Sequence, residues 1–284
     1  KFLSELKSKG YNLILISPFD KYHKKISKYF TNKENLFLIR GSENPILEII
    51  TLFHLFLVYL KYKPNLVHHF TIKPCIYGGI IARFLDIKNV INHITGLGPS
   101  FYSNRRKINF TNKILNPFYK YAFNADKNNL INIFHNNYDK NFFIEKCITR
   151  SDKTITIEGS GVDVNYFKND ISKKINKKIK LLFPARIIKE KGILELINAC
   201  NDLWNANYKF TLNIAGEIDK QNRSYLNKKY IKYIKNNPNI IFLGKCKNML
   251  KVYKKMDIVI LPSWREGLSM SLLESASMSL PIIT

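Results

Sequence analysis

Paired cysteines are missing. The four cysteines, Cys75, Cys147, Cys200 and Cys246, lie dozens of residues apart and form no CxxC. That excludes a disulfide framework and a thiolate zinc site, and fits a reducing compartment. Acidic side chains are scarce as well, 21 against 46 Lys and Arg, for a formal charge of +25. A surface of that sign draws anionic partners such as nucleic acid, lipid headgroups or phosphorylated substrates. The excess is spread evenly, with 23 basic and 9 acidic residues before position 151, so Lys-, Asn- and Ile-rich coding explains it equally well. No aromatic RNA-binding strand motif or zinc finger occurs, and a nucleic-acid partner is not expected. Long hydrophobic runs are absent too. The most apolar stretch, ILEIITLFHLFLVYL at 46–60, contains Glu48 and His54 and falls short of a membrane span, so it reads as a buried or an interfacial helix. With no low-complexity tract and a hydrophobic fraction of 45%, the chain is globular, of a length that suits one or two domains.

The patterns that remain alternate between two periods. From residue 179 onward the chain reads IKLLFPA (179–185), GILELINACNDLW (192–204), YKFTLNIAG (208–216), a polar helical stretch (221–236), NIIFLG (239–244), MLKVYKKM (249–256), DIVILPS (257–263), WREGLSMSLLE (264–274) and LPIIT (280–284). Strands separated by helices of this length predict a parallel, doubly wound sheet. The first half is less regular. Strands are expected at 11–18, 35–39, 65–70, 89–95 and 153–159, with helices at 45–62 and 73–85. The expected architecture is α/β, two Rossmann-like domains over 1–165 and 166–284, divided within a polar stretch containing NDISKKINKKIK. The chain begins without Met inside a helical pattern and stops at a strand, which reads as a piece lacking both ends.

Ligands of open α/β sheets sit beyond the carboxyl ends of the strands. Arg186 and Lys191 follow the strand at 179–185, where guanidinium and ammonium suit a diphosphate, although in so basic a chain a solvated surface is the simpler reading. After the strand at 257–263, Gly267 allows close backbone approach, and the free N–H groups of Leu268, Ser269 and Met270 are expected to form a phosphate cradle. Glu266 stands before that helix and Glu274 is expected about two turns into it. Carboxylates there can accept hydroxyl hydrogen bonds, or serve only as an acid at a helix N-terminus and on a solvated face.

The stretch REGLSMSLLE has seven residues between Glu266 and Glu274, and resembles the E-x7-E motif of retaining GT-B glycosyltransferases of family 4. The segments EGSGVDVNYF, ARIIKEKG, LNIAGE and DIVILPS occur in the order shown by that family. NLVHHFTIKPCIYGGIIARFLDIKNVINHITGLG is similar to the matching segment of enzymes that build bacterial surface polysaccharides and glycan carriers. The resemblance covers nearly the whole chain and implies two domains facing each other across a cleft. By the same resemblance, Arg186 and Lys191 stabilise the departing nucleoside diphosphate. Glu266 holds donor-sugar hydroxyls beside the amides of Gly267, Leu268 and Ser269, Glu274 binds the ribose, and Glu217 lines the nucleotide pocket. Thr71, Lys73, Thr95 and Gly96 face the cleft. Thr95 stands where many relatives have a catalytically helpful His. His68, His69 and His93 read as structural. Since no Asp-x-Asp occurs, neither a metal nor another cofactor is expected.

The implied activity is retaining transfer of a hexose or N-acetylhexosamine from a nucleotide sugar, expected to be UDP-linked, to a glycan acceptor expected to be lipid-diphosphate-linked. An anionic membrane surface is an expected partner, and the inner face of the cell membrane the expected location. The alternatives are a UDP-sugar epimerase and a non-catalytic sugar-nucleotide or membrane-binding relative.

Overall fold

The computed structural model describes residues 2–19, 23–39, 44–96, 116–124, 129–159, 161–169, 178–219, 222, 224–264, 266 and 268–284. The chain divides into two compact units, Lys1–Thr156 and Ile157–Thr284. The division falls earlier than the expected 165, because the segment after Thr156 packs into the second unit. There Gly159 lies under the Leu268 side chain, and further on Phe167 meets the ring of Tyr253 edge-on while its carbonyl accepts from Ser277 Oγ.

Unit 1 runs α1 (Phe2–Ser8), β1 (Ile14–Ser17), α2 (His23–Ile26), β2 (Asn32–Asn35), α3 (Pro45–Tyr62), β3 (Leu66–Phe70), α4 (Ile72–Phe84), β4 (Asn89–Ile94), α5 (116–123), β5 (Asn129–Phe134), α6 (Asn137–Glu145) and β6 (Thr154–Thr156). Its sheet has the sequential order β3-β4-β5-β6, all parallel, while β1 and β2 form a separate parallel ladder. The strand expected at 35–39 lies instead at Asn32–Asn35. Its apolar neighbour Leu36 is buried in the core with Leu55, Tyr59 and Val67, as a side-chain anchor beyond the ladder. The β5 and α6 elements went unread in the sequence, since Asn129 and Asn132 break the apolar alternation of NLINIF. Asn132 is nevertheless fully buried.

Helix α3 extends to 18 residues, longer than the apolar run that marks it, and by length and composition could cross a membrane. One side of it, Thr51, Leu55, Val58 and Tyr59, is buried in the unit's core. Its start is set by Pro45 and by Asn44, whose side chain accepts from Ile46 N at 3.0 Å. The abundant asparagine has a structural use at such positions, where a short amide oxygen satisfies an otherwise free helix N–H. Asn136 caps α6 in the same way, at 2.7 Å to Asp139 N.

Unit 2 runs β7 (Ile179–Phe183), α7 (Ile193–Asn205), β8 (Phe210–Ile214), α8 (Lys228–Asn236), β9 (Ile240–Phe242), α9 (Met249–Tyr253), β10 (Ile258–Ile260), α10 (Met270–Ser277) and β11 (Ile282–Ile283). Its parallel sheet has the order β11-β10-β7-β8-β9, so the chain starts in the middle, moves to one edge, then returns to the other side of β7. Both faces are covered. Leu181 and Phe183 of β7 point into one core with Leu212 and Ile214, and Leu182 between them points into the other with Val259 and Met278. The helix expected over 221–236 begins only at Lys228. Before it Tyr225 bridges to Ile188 and Leu226 is fully buried, a hold on the loop after β7 that competes with helix formation.

Candidate active site

The reversal of strand order in unit 2 lies between β7 and β10, and in such sheets the crevice at the reversal is where ligands bind. The sequence puts chemistry there from both sides. After β7 the chain runs through Arg186 to a single 3-10 turn, Lys189–Lys191, closed by Gly192 at φ 70°. A Cβ on Gly192 would come within 1.8 Å of the Pro262 carbonyl oxygen, so only glycine lets the loops after β7 and β10 approach this closely. Backbone bonds fix the first loop: Ile187 N donates to Glu217 O at 3.0 Å and Lys189 N to Ser224 O at 2.9 Å.

On this frame Lys191 Nζ pairs with the Glu266 carboxylate, which also accepts from Ser263 Oγ at 2.8 Å. Both partners of the pair are largely buried, with about a fifth of each side chain exposed. Beside it Arg186 Nη1 donates to Asp219 at 2.9 Å, and Lys245, after β9, to Glu217 at 2.8 Å. Three cations thus crown the carboxyl edge of the sheet, each held by a carboxylate.

Below them is a pocket of about 260 Å³ lined by Arg186, Glu217, Lys245, Tyr253, Ser271 and Glu274, together with the backbone turn at Ala185 and Gly216. Gly216 is required here too, because a Cβ would meet the Ala185 carbonyl oxygen at 1.8 Å. Glu274 is the fifth residue of α10, about one turn in rather than two. Its side chain is not on a solvated face: it accepts from the buried Tyr253 hydroxyl at 2.9 Å, and burial raises its carboxyl above the usual range. The helix itself starts later than expected. Ser269 is its N-cap and Met270 its first residue, with Leu272 N and Leu273 N already bonded to Ser269 O. The exposed amide edge of the helix therefore begins at Met270 and Ser271, while Leu268 packs over Gly159 of the EGSGVD turn. Gly267 lies outside the described residues.

The other expected positions belong to unit 1, at the carboxyl end of its sheet. Thr71 follows β3 with φ 71° and ψ 160°, a region open almost only to glycine and costly for a β-branched residue. Its N–H donates to His93 O at 3.0 Å and its carbonyl accepts from Cys75 N at 3.1 Å, so both ends hold it there. Thr95 and Gly96 follow β4. Lys73 is not a free cation at this edge. It pairs with Glu48 at 2.7 Å and donates to Ile39 O, tying α4 to α3.

The histidines fall into two groups. His69 is buried, and its bonds can be satisfied in only one direction. Asn132 donates to Phe123 O and Thr149, so its oxygen accepts from Asn92. The Asn92 oxygen in turn accepts from His69 Nδ1, leaving Nε2 to accept from Tyr59 at 2.7 Å. His69 is neutral in this chain, since burial lowers its imidazole to about 4. At the carboxyl ends of β3, β4 and β5, His68 stacks on His93 and His135 meets His93 edge-on, with His93 Nε2 2.8 Å from His135 Nε2. Burial lowers all three, His68 to about 4.

Sequence reasoning missed Asp219, Lys245, Ser263, Tyr253 and His135. Ser263, in DIVILPS, and Asp219, two residues past Glu217, had local signals. Tyr253 and His135 had none, because only the folded sheet brings them to these positions.

Both halves of the chain are similar to known proteins. A family described as Glycosyl transferase 4-like matches residues 1–136, and one described as Glycosyl transferases group 1 matches 166–284. Together the two matches span most of the chain, which carries a Glycosyl transferase 4-like domain followed by a Glycosyl transferases group 1 domain. It is 26% identical over 134 residues to the capsular polysaccharide biosynthesis glycosyltransferase CapM of Staphylococcus aureus, covering 47% of this chain and 35% of that protein. It is 22% identical over 292 residues to the N,N'-diacetylbacillosaminyl-diphospho-undecaprenol alpha-1,3-N-acetylgalactosaminyltransferase of Campylobacter jejuni, covering 99% of this chain and 74% of that one. Among solved structures, Anabaena HepE in complex with UDP-glucose superposes with a TM-score of 0.72 at 16% identity, covering 99% of this chain and 74% of HepE. The match thus spans about a third of the length of the first relative and three quarters of the second.

Proposed function

We propose that the protein is a retaining glycosyltransferase of bacterial surface-polysaccharide or glycan biosynthesis. It moves a hexose or N-acetylhexosamine from a UDP-sugar to a lipid-diphosphate-linked glycan at the inner face of the cell membrane. The observation that carries the reading is the Lys191–Glu266 pair at the strand-order reversal of unit 2, with Arg186 on the same loop. The UDP donor is supported by HepE, solved with UDP-glucose, and the lipid-diphosphate acceptor by the name of the Campylobacter relative.

In this reading the donor diphosphate displaces the carboxylates that now hold Arg186 and Lys191. The two cations balance charge that grows on the leaving phosphate, as preorganised electrostatics require. The free amides at the start of α10 face the same charge. Glu266, released from Lys191, accepts from donor-sugar hydroxyls, and Glu274, braced by Tyr253, from the ribose. Glu217 lines the nucleotide pocket. The acceptor hydroxyl attacks from the face that the diphosphate leaves and passes its proton to a leaving phosphate oxygen. Cations placed this way do the work of a divalent ion, so the mechanism uses no metal.

Thermal-shift screening of UDP- and GDP-sugars on the intact protein, followed by transfer onto lipid-linked acceptors, tests the proposal. Arg186→Ala and Lys191→Ala are each expected to lower kcat/KM by roughly 10- to 1000-fold, the loss of a charged hydrogen bond in a closed site. Unchanged kinetics would remove the site assignment. Sugar interconversion without acceptor would identify an epimerase, and UDP binding with no transfer a non-catalytic relative. The anomeric configuration of the product, read by NMR, decides retention.

A further inference from the structure

A second concavity, larger than that of unit 2, lies in unit 1. It is a groove of about 620 Å³ between α3, α4 and α5, lined by Phe53, Phe56, Ile80, Phe84 and Phe118 among other apolar residues. The one polar side chain in its wall is Tyr121, and the Arg83 guanidinium stacks on that ring at 4.1 Å while donating to the Tyr121 carbonyl. Phe53, Phe84 and Phe118 are each more than half exposed, and from α3 the apolar surface continues along Ile46, Ile49, Ile50, Leu57 and Leu60. A groove of this kind, apolar along its floor with a cation at its rim, matches an amphiphile that joins a hydrocarbon chain to an anionic headgroup.

We propose that this groove seats the hydrocarbon chain of the lipid-linked acceptor, with Arg83 at the rim beside its anionic group. This deepens the lipid-acceptor reading above and rests on it. The helix stripe outside the groove is the route by which a chain embedded in a bilayer reaches the floor. Buried apolar length then adds to acceptor affinity without touching the reacting atoms, so tail length acts on KM and leaves kcat alone.

The test compares two acceptors with the same diphosphate-linked glycan, one on a polyprenyl chain in detergent micelles and one on a short, water-soluble chain. Phe53→Gln with Phe84→Gln, both at exposed positions, is expected to raise KM for the long-chain acceptor about tenfold with kcat unchanged, as loss of buried aromatic contact predicts. KM for the short-chain acceptor should not move. Equal shifts for both acceptors, or none for either, would overturn the proposal. Loss of binding to phosphatidylglycerol vesicles with both KM values unmoved would show a bilayer-docking face instead and also overturn it. So would a dimer, seen by light scattering, that the double variant dissociates. Should the intact protein transfer sugar to neither acceptor, the functional reading fails. The groove is then tested by binding of a dansylated polyprenyl phosphate, where the double variant must lose about tenfold in affinity while a dansylated short-chain phosphate is unaffected.

Discussion

Thr71 is held at a backbone conformation that its own side chain disfavours, by one bond to His93 and another from Cys75. Stored strain of this kind concentrates at ligand-contacting positions, and Thr71 stands at the carboxyl edge of the unit 1 sheet. Thr71→Gly is therefore expected to stabilise the protein by about 1 kcal/mol, read as a higher urea midpoint at unchanged slope. A lower midpoint would show that the strain is absent. Of the residues argued from the sequence, Arg186, Lys191 and Glu266 were legible because strand ends and helix starts announce where free amides and ligand-facing loops lie. Asp219 and Lys245, which hold or flank those charges, were not. Their roles depend on which strands become neighbours, and the local pattern is silent on that.

At the scale of elements, the loops after β7, β8 and β10 meet through two glycines that face carbonyl oxygens. Gly216→Ala pushes a methyl group into the Ala185 carbonyl, and neither backbone can yield without moving a strand end. A loss of about 2–3 kcal/mol or more follows, the upper range for overpacking. It should appear as a lower melting temperature together with weaker UDP binding. An unchanged melting temperature would mean that the fold tolerates the added methyl. The alternation of strands and helices in unit 2 was plain in the sequence, where apolar runs of strand length are separated by amphipathic segments. Helix starts were less plain. α10 begins at Met270, where the Ser269 carbonyl accepts the first helical N–H bonds, and α8 begins at Lys228 because Leu226 is drawn into the core first.

For the whole molecule, all six histidines lie in unit 1. Four of them, His68, His69, His93 and His135, have imidazoles lowered by burial. A base whose folded value lies below its unfolded value is fully stabilising above the unfolded value, near 6.5, and loses that contribution as the pH falls toward the folded one. His69, fully buried, accounts for up to about 3 kcal/mol between pH 6.5 and 4. The partly exposed three contribute less, since solvent screens them. Unit 1 should therefore melt earlier in mild acid while unit 2, which has no histidine, holds its transition. Calorimetry across pH 7 to 4 checks this, and a single transition moving as one would contradict it.

The bonds from Tyr59 through His69, Asn92 and Asn132 to Thr149 also bear on how three very similar strands find one another. In LVHHF, NVINHI and NLINIF the buried positions recur at every second residue, so a slip of two positions would keep every side chain on its own face and cost the apolar core little. The ladder pairs His69 with Asn92 and Asn92 with Asn132. Moved by two, each of these polar groups would sit buried against an apolar neighbour, at about 1–3 kcal/mol apiece. Hydrophobic patterning chooses which face of each strand points inward, and these amides and the imidazole select among the alignments that patterning leaves equivalent.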